Sequence, residues 1–462
     1  MEAKNRIILP LDVDSLDKAA ALVNQLFDLV GPFKLGLEFI NSMLASIITP
    51  SAEAEAIENV QKIRKLFGAL AGKIFWDGKF DDIPNTMAGA SVPVAKMGVK
   101  MFNVHASAGK DSVAKAVANK GKSLVLGVTV LTSISPNECE SIFGDKPGPK
   151  VLQFAKMLVD VGADGIICSP QELEFLGRDP ELKKLLKATP GVRPLWAAAG
   201  DQKRVMTPGE AIKAGADYLV IGRPITQPPK EIGGPADAAK LIAAEIAAAW
   251  AERRSLEIFA QTKAIIKNTH VVYTSGKHGS EYVNKDEVYP DTEVTDELCG
   301  YIAEHFKELG AETVVAPVEG GINLSQGVAR HLTRITGQKV FSVYADKEGD
   351  GLVIKRGYGK HIAGKKVLVV DDVFTTGGSV RKLIVLVRSM GGIVMAVGGL
   401  CNRGGVKAAD LGENVPEPFV LASVQMEAYE EALCPLCKEN VPISTEVGKG
   451  KEYLAQKASV AK

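Results

Sequence analysis

Along residues 1–250, short apolar runs alternate with longer stretches whose apolar residues recur at helical spacing. The short runs are too continuous for a sheet with one wet face, and they predict strands buried on both faces. These are Ile7–Asp12, Phe33–Leu37, Ile74–Asp77, Met101–His105, Leu124–Thr129, Gly165–Cys168, Arg193–Trp196 and Tyr218–Ile221. Amphipathic helices are predicted between them, for example Ser15–Leu29, Glu53–Phe67, Pro149–Val161 and Pro235–Arg253. Eight strand–helix units in about 250 residues match a closed (β/α)8 TIM barrel. Gly162-Ala-Asp164 and Gly215-Ala-Asp217 echo each other at helix-to-strand turns. The alternative, an open doubly wound sheet, lacks its glycine-rich fingerprint after the first strand.

A breaker-rich loop, Thr226-Gln-Pro-Pro-Lys-Glu-Ile-Gly-Gly-Pro235, leads into an alanine-rich helix ending near Arg253-Arg254. Those arginines read as a solvated helix end. The pattern then resumes with a different signature, so the chain divides into a barrel at 1–254 and a second α/β domain at 255–462. With 462 residues, one core is not expected to suffice.

Acidic and basic residues balance at 55 each, which excludes a global field for nucleic acid or anionic membranes. No apolar run reaches membrane-spanning length, no secretory leader is evident, and the six cysteines are scattered, so a reducing intracellular setting is expected. Cys434-Pro-Leu-Cys437 is the one close pair. Half a zinc site, a redox pair and two thiols in a turn are all compatible with it. With no further ligands nearby in sequence, the last is preferred.

In a TIM barrel, chemistry gathers at the carboxyl ends of the strands. Those ends carry Asp12, Lys34, Asp77, Lys79, His105, Thr129, Thr132 and, after the eighth strand, Gly222-Arg223. Arg223 stands where such barrels hold phosphate. If the third strand runs through Lys79, its ammonium and the Asp77 carboxylate share a face. Alone, the pair reads as a structural salt bridge; beside the other charges it favours catalysis. His105 reads as a strand-end histidine bonded within the core, and Trp76, Trp196 and Trp250 as packing.

Pro10-Leu-Asp12, Phe33-Lys-Leu-Gly36, Asp77-x-Lys-Phe-x-Asp-Ile-Pro-Asn-Thr86, Asn103-Val-His-Ala106, Thr129-Val-Leu-Thr-Ser133, Gly200-Asp-Gln-Lys-Arg-Val-Met-Thr-Pro208 and Val220-Ile-Gly-Arg-Pro-Ile-Thr226 occur in this order. Together they resemble orotidine 5′-phosphate decarboxylase, with Gly78 and Asp81 where leucine and histidine are expected. The resemblance implies a cofactor-free decarboxylase. Asp77 would face the substrate carboxylate and Lys79 would protonate C6. Lys34 and Asp82 would complete a Lys-Asp-Lys-Asp array, with Asp82 and Thr86 serving a partner subunit's site. Asp12 would bind ribose, Thr132 the pyrimidine, and Gln202 with Arg223 the phosphate. Hexulose-phosphate synthases share the D-x-K-x-x-D pattern but use Mg²⁺; the I-P-N-T continuation, Thr129–Ser133 and G-D-Q-K-R argue against that alternative.

In the second half, Lys366-Val-Leu-Val-Val-Asp-Asp-Val-Phe-Thr-Thr-Gly-Gly-Ser379 runs from an apolar strand through two acids into a glycine- and hydroxyl-rich turn. Amides and hydroxyls there can cradle a phosphate at a helix N-terminus, and the acids suit ribose hydroxyls, directly or through Mg²⁺. This stretch resembles the phosphoribosyl-pyrophosphate motif of type I phosphoribosyltransferases. With Thr274-Ser-Gly-Lys277, Pro317-Val-Glu-Gly-Gly321 and Asn402-Arg403, it is similar to orotate phosphoribosyltransferase. The resemblance implies Mg²⁺ near Asp371 and Asp372, and phosphoribosyl pyrophosphate on Glu319, Gly320, Gly321, Thr375, Thr376, Gly377, Gly378 and Ser379. Lys277 and Arg403 would lie on the orotate side, with Lys347 catalytic. The loop Ala345-Asp-Lys-Glu-Gly-Asp350 departs from the family by placing aspartates where basic residues are expected; Lys355-Arg356 and Lys360-His361 follow as possible substitutes.

The two resemblances interlock, because the transferase product, orotidine 5′-phosphate, is the decarboxylase substrate. They imply a fused enzyme making UMP from orotate, decarboxylase first. A phosphoribosyl-pyrophosphate-sensing or other-base module in the second half is the alternative. Expected partners are small molecules and further copies of the chain, as a homodimer or larger, without nucleic acid or membrane. A cytoplasmic location is expected, or a glycosome or peroxisome if leucine follows Lys462.

Overall fold

The computed structural model describes residues 1–197, 206–273, 275–424 and 426–460. They form two compact units, Met1–Trp250 and Ala251–Lys462. No helix among the described residues is long and apolar enough to cross a membrane.

The first unit is a closed parallel barrel of strands β1 (Ile7–Pro10), β2 (Phe33–Gly36), β3 (Ile74–Phe80), β4 (Met101–His105), β5 (Leu124–Val128), β6 (Gly165–Ile167), β7 (Leu186–Pro190) and β8 (Tyr218–Val220), each paired with its neighbours in chain order. Period-two alternation sorts the side chains. Ile8, Phe75, Met101, Leu126, Ala188 and Tyr218 fill the interior, whereas Ile7, Leu9, Phe33, Leu35, Ile74, Phe102 and Val104 join the layer that includes the surrounding helices. The same alternation turns Lys34, Asp77 and Asn103 inward above that apolar floor.

Two sequence expectations are corrected. The seventh strand is Leu186–Pro190, not Arg193–Trp196. Lys187 disguised it, being buried with its ammonium donating to the Leu182 and Leu185 carbonyls at 3.2 and 3.1 Å. In the run chosen instead, Pro194 has no amide to donate to a ladder. The alanine-rich helix runs Pro235–Gln261, past Arg253-Arg254. Those arginines are therefore not a helix end: Arg253 pairs with Glu257 and Arg254 with Glu297, each at 3.0 Å. The helix stops where Lys263 enters the left-handed region.

In the second unit, short strands β9 (Ile265–Ile266), β10 (Val271–Val272), β11 (His278–Gly279) and β12 (Tyr282–Val283) form two small antiparallel pairs. They precede a six-stranded sheet of β13 (Thr313–Pro317), β14 (Phe341–Glu348), β15 (Gly351–Val353), β16 (Lys366–Phe374), β17 (Ile393–Asn402) and β18 (Phe419–Ser423). Its order is β15-β14-β13-β16-β17-β18, parallel except for the β14–β15 hairpin. Both faces are covered: Leu368 and Val370 of β16 join one core, Val367 and Val369 the other.

All three tryptophans, Trp76, Trp196 and Trp250, lie in the first unit, so their fluorescence reports its unfolding. Lys187→Met keeps the aliphatic stem but leaves two buried carbonyls without their ammonium. It should cost about 1–3 kcal/mol, read as a lower urea midpoint of that fluorescence; an unchanged midpoint would show that the ammonium is dispensable.

Candidate active sites

A cavity of about 390 Å³ opens at the carboxyl end of the barrel, lined by Asp12, Lys34, Asp77, Lys79, Thr132 and Arg223 among others. Asp77 is its centre, 5% exposed. The Lys34 ammonium lies 3.0 Å from Asp77 Oδ2 and 3.2 Å from Asp12 Oδ1, and the Lys79 ammonium lies 2.5 Å from Asp77 Oδ1. One chain therefore carries the array Asp12–Lys34–Asp77–Lys79. Burial alone would raise the Asp77 carboxyl, but Lys34 and then Lys79 bring it below its ordinary value. Burial would lower the Lys34 ammonium, yet Asp77 and Asp12 hold it above its ordinary value.

The backbone is bent to make this fit. Lys79 has φ +47°, and the β3–β4 register breaks between Trp76 and Phe80. Asn103, wholly buried on β4, clamps the bend: its Oδ1 accepts from the Lys79 amide at 2.8 Å, and its Nδ2 donates to Asp77 Oδ1 at 2.5 Å. The motif Asn103-Val-His-Ala106 does not by itself reveal this role. The available signal was an inward-facing amide two positions above Met101. Gly36 makes room beside Lys34, since a Cβ there would sit 2.8 Å from its ammonium. At Gly78 a Cβ would stand 2.8 Å from atoms of both the Trp76 and Phe80 rings, so glycine suits the position where leucine was expected.

Other expected residues lie elsewhere. Asp82 and Thr86 are exposed and do not line this cavity, so within one chain Asp82 is not part of the array. Asp82 borders a shallower depression with Asp81 and Ser107, and Ser107 donates to Asp81 at 3.2 Å. Gln202 lies outside the described residues. Burial first, then Lys79, lowers the His105 imidazole against the opposing pull of Asp81 and Asp77.

In the second unit, two loops at the carboxyl ends of adjacent strands β13 and β16 converge. Glu319, exposed, follows a cis Val318–Glu319 peptide, and Gly320-Gly321 opens the helix Gly321–Thr336. Asp371 and Asp372 lie near the carboxyl end of β16, before Val373-Phe374, and Thr375-Thr376-Gly377 turns into the helix Gly378–Ser389, with Gly377 at φ +72°. A Cβ on Gly320 would overlap the Asp372 carboxylate and the Lys285 ammonium. Lys285, which sequence reasoning missed, lies 2.5 Å from Asp372 Oδ2; only the fold brings it there. Burial and then Asp372 push the Asp371 carboxyl up against the weaker pull of Lys285 and Lys347, so the donor set fits added cationic charge or hydroxyl donors.

Arg403 donates to the Thr375 hydroxyl at 3.0 Å and stands over Tyr273 and Tyr282, 5.3 and 5.4 Å from their ring centres. Lys277 is exposed and pairs with Glu430 at 3.3 Å. Lys347 is exposed near the end of the β14–β15 hairpin, opposite Leu352. Lys355 pairs with Glu348, and Arg356 with Asp346, each at 3.0 Å.

The family model described as Orotidine 5′-phosphate decarboxylase / HUMPS family matches residues 5–234. The orotidine 5′-phosphate decarboxylase of Syntrophomonas wolfei is 41% identical over 261 residues, spanning 53% of this chain and 99% of the relative. The chain belongs to the orotidine 5′-phosphate decarboxylase / HUMPS family. Downstream of this decarboxylase-family unit, residues 285–411 match the model described as Phosphoribosyl transferase domain. The chain thus joins two enzyme families, in the order expected from the sequence. Among solved structures, the orotidine 5′-phosphate decarboxylase of Lactobacillus acidophilus is 30% identical, covers 52% of this chain and 99% of its own, and has a TM-score of 0.41. Leishmania donovani UMP synthase is 16% identical, covers 98% of this chain and 97% of its own, and also has a TM-score of 0.41.

Because folding depresses the Asp77 carboxyl, its ionisation stabilises the native state above the ordinary value of 3.8, and this contribution fades as pH falls through the lowered value. The stability of wild type relative to Asp77→Asn should therefore decline as pH drops below 3.8, followed by tryptophan fluorescence in urea. A pH-independent difference would mean that the carboxyl is not depressed.

Proposed function

We propose that the chain makes UMP from orotate in two steps, as a bifunctional UMP synthase. The second unit transfers phosphoribose from phosphoribosyl pyrophosphate to orotate N1, releasing pyrophosphate. The barrel then decarboxylates orotidine 5′-phosphate. The single observation carrying this reading is Asp77 held between Lys34 and Lys79 at the floor of a cavity with Arg223 on its wall.

Bound orotidine 5′-phosphate would set its carboxylate against Asp77, a repulsion relieved as carbon dioxide leaves. Lys79 would stabilise the charge developing at C6 and deliver the proton there. Such fixed charges need no reorganisation during reaction. Asp12 would take ribose hydroxyls, Thr132 the pyrimidine, and Arg223 with Gln202 the phosphate, whose binding energy helps hold the carboxylate beside Asp77. Asp82 and Thr86, being exposed, would complete the site of a second subunit. This step uses no cofactor.

In the transferase unit, the helix N-termini at Gly321 and Gly378 would receive the two phosphate ends of phosphoribosyl pyrophosphate. Asp371 and Asp372 would hold ribose hydroxyls and Mg²⁺, which when bound neutralises the departing pyrophosphate. Arg403 and Lys277 would flank orotate, and Lys347 would reach the leaving group as the hairpin moves. A second reading makes this unit a sensor, or a transferase for another base. It is favoured by the pairing of Lys355 and Arg356 with the hairpin's own acids.

The test supplies orotate, Mg²⁺ and phosphoribosyl pyrophosphate and follows orotidine 5′-phosphate and UMP separately. Wild type should yield UMP. Lys79→Ala should accumulate orotidine 5′-phosphate, its decarboxylation slowed at least roughly 100- to 10,000-fold. UMP formed only from added orotidine 5′-phosphate would select the second reading. If Asp82 serves a partner, mixing inactive Lys79→Ala and Asp82→Ala chains should restore about a quarter of the decarboxylase activity, since half the dimers are mixed and each has one intact site. No recovery after verified subunit exchange would remove that role.

A further inference from the structure

His270, just before β10, and His278, in β11, come together with Cys434 and Cys437 from the C-terminal segment. His270, His278 and Cys434 are buried, and one ligand atom from each of the four residues lies within 4.8 Å of all the others. The pair that sequence spacing left without companions acquires two, each more than 150 residues away along the chain.

Three of four separations fit the edges of a tetrahedron, and the fourth is short. Ligands at about 2.0–2.1 Å for nitrogen and about 2.3 Å for sulfur give edges of about 3.3 Å between nitrogens and about 3.5 Å between nitrogen and sulfur. Here His270 Nε2 lies 2.9 Å from His278 Nδ1, 3.7 Å from Cys434 Sγ and 3.6 Å from Cys437 Sγ. Cys437 Sγ is 3.3 Å from His278 Nδ1. Widening the nitrogen pair by a few tenths of an ångström would bring it to that edge, and the two remaining pairs, Cys434 with Cys437 and with His278, lie within 4.8 Å.

The proton positions also suit a cation. His270 Nδ1 lies 2.7 Å from the Val441 carbonyl and donates to it, leaving a lone pair on Nε2 in the neutral ring. If His278 donates from Nδ1 to that lone pair, its own Nε2 keeps a lone pair, buried and without a partner. If the proton sits on Nε2 instead, two nitrogen lone pairs face each other at 2.9 Å, with the weak thiol donors of Cys434 and Cys437 to meet them. A cation between them takes both lone pairs and both sulfurs.

We propose that His270, His278, Cys434 and Cys437 bind one Zn²⁺ in a closed, four-ligand structural site. Two nitrogens and two sulfurs favour zinc over magnesium or calcium, and no position is left for substrate. The ion would fasten the C-terminal segment to the β10–β11 hairpin. It would add to the backbone and side-chain ties already there: the His278–Tyr429 backbone pair at 2.8 Å, the Ser444 amide on the His270 carbonyl at 2.7 Å, the Lys449 amide on the Val272 carbonyl at 2.8 Å, the Lys277–Glu430 ion pair at 3.3 Å and the Tyr453 ring edge-on to His278. The hairpin carries Tyr273, one of the two rings against Arg403, so the ion would also steady one wall of the second unit's site.

The experiment uses the full-length chain, purified under reducing conditions and analysed by elemental mass spectrometry. About one Zn²⁺ per chain is expected in wild type and in Cys139→Ala, and almost none in Cys437→Ser. Exchange with Co²⁺ should produce thiolate-to-metal charge-transfer bands and intense visible bands of tetrahedral cobalt, both lost in Cys437→Ser. Removing the ion should lower the second unit's transition in calorimetry while leaving the tryptophan-reported transition of the first unit in place. Should the variant fail to fold, the cobalt spectrum of wild type still decides. Wild type that takes up neither Zn²⁺ nor Co²⁺ after reduction, or cobalt bands unchanged in a folded Cys437→Ser, would overturn the proposal.

Discussion

Asp77 cannot be buried alone. An unpaired carboxylate on the floor of a barrel would take up a proton rather than stay charged, and much of the local architecture answers that constraint. Lys34 comes from the preceding strand and Lys79 from two residues further along the same strand. Gly36 leaves space for the first ammonium, and the left-handed turn at Lys79 brings the second back over the carboxylate. Asn103 ties the turn to the acid, so the geometry of the charges and that of the backbone are one problem with one solution.

The two units treat charge differently. In the barrel, Asp12 and Asp77 are matched by Lys34 and Lys79 within a single chain. In the second unit, Lys285 pairs with Asp372, and Asp371 beside it is pushed up despite Lys285 and Lys347, an arrangement short of positive charge. In the first site Asp12 and Asp77 have their lysines before anything binds; the second improves when a cation or hydroxyl donors arrive. Both stand at the carboxyl edge of parallel strands, where backbone amides and loops converge.

The barrel was legible because its strands are buried on both faces and because Asp12, Lys34, Asp77 and Lys79 all fall at strand ends. Where reading failed, a side chain hid its environment. Lys187 made a true strand look polar, because nothing in the sequence shows carbonyls waiting to receive its ammonium. Asn103 looked ordinary until its two partners were in view. Lys285 and the histidines beside Cys434 and Cys437 were invisible for another reason. Their partners lie tens to hundreds of residues away, and periodicity carries no information about contacts at that range.

The glycines at 36 and 320 bear on how such a protein can change over generations. Alanine, the smallest step available from glycine, already intrudes on the Lys34 ammonium at one position and on the Asp372–Lys285 pair at the other. At Gly36 the obstacle is the tip of a long lysine side chain, and at Gly320 it is a carboxylate together with its ammonium partner. Any lineage altering them would first have to move a charged partner, so both sites should drift by exchanging the walls of their pockets while these two points stay bare.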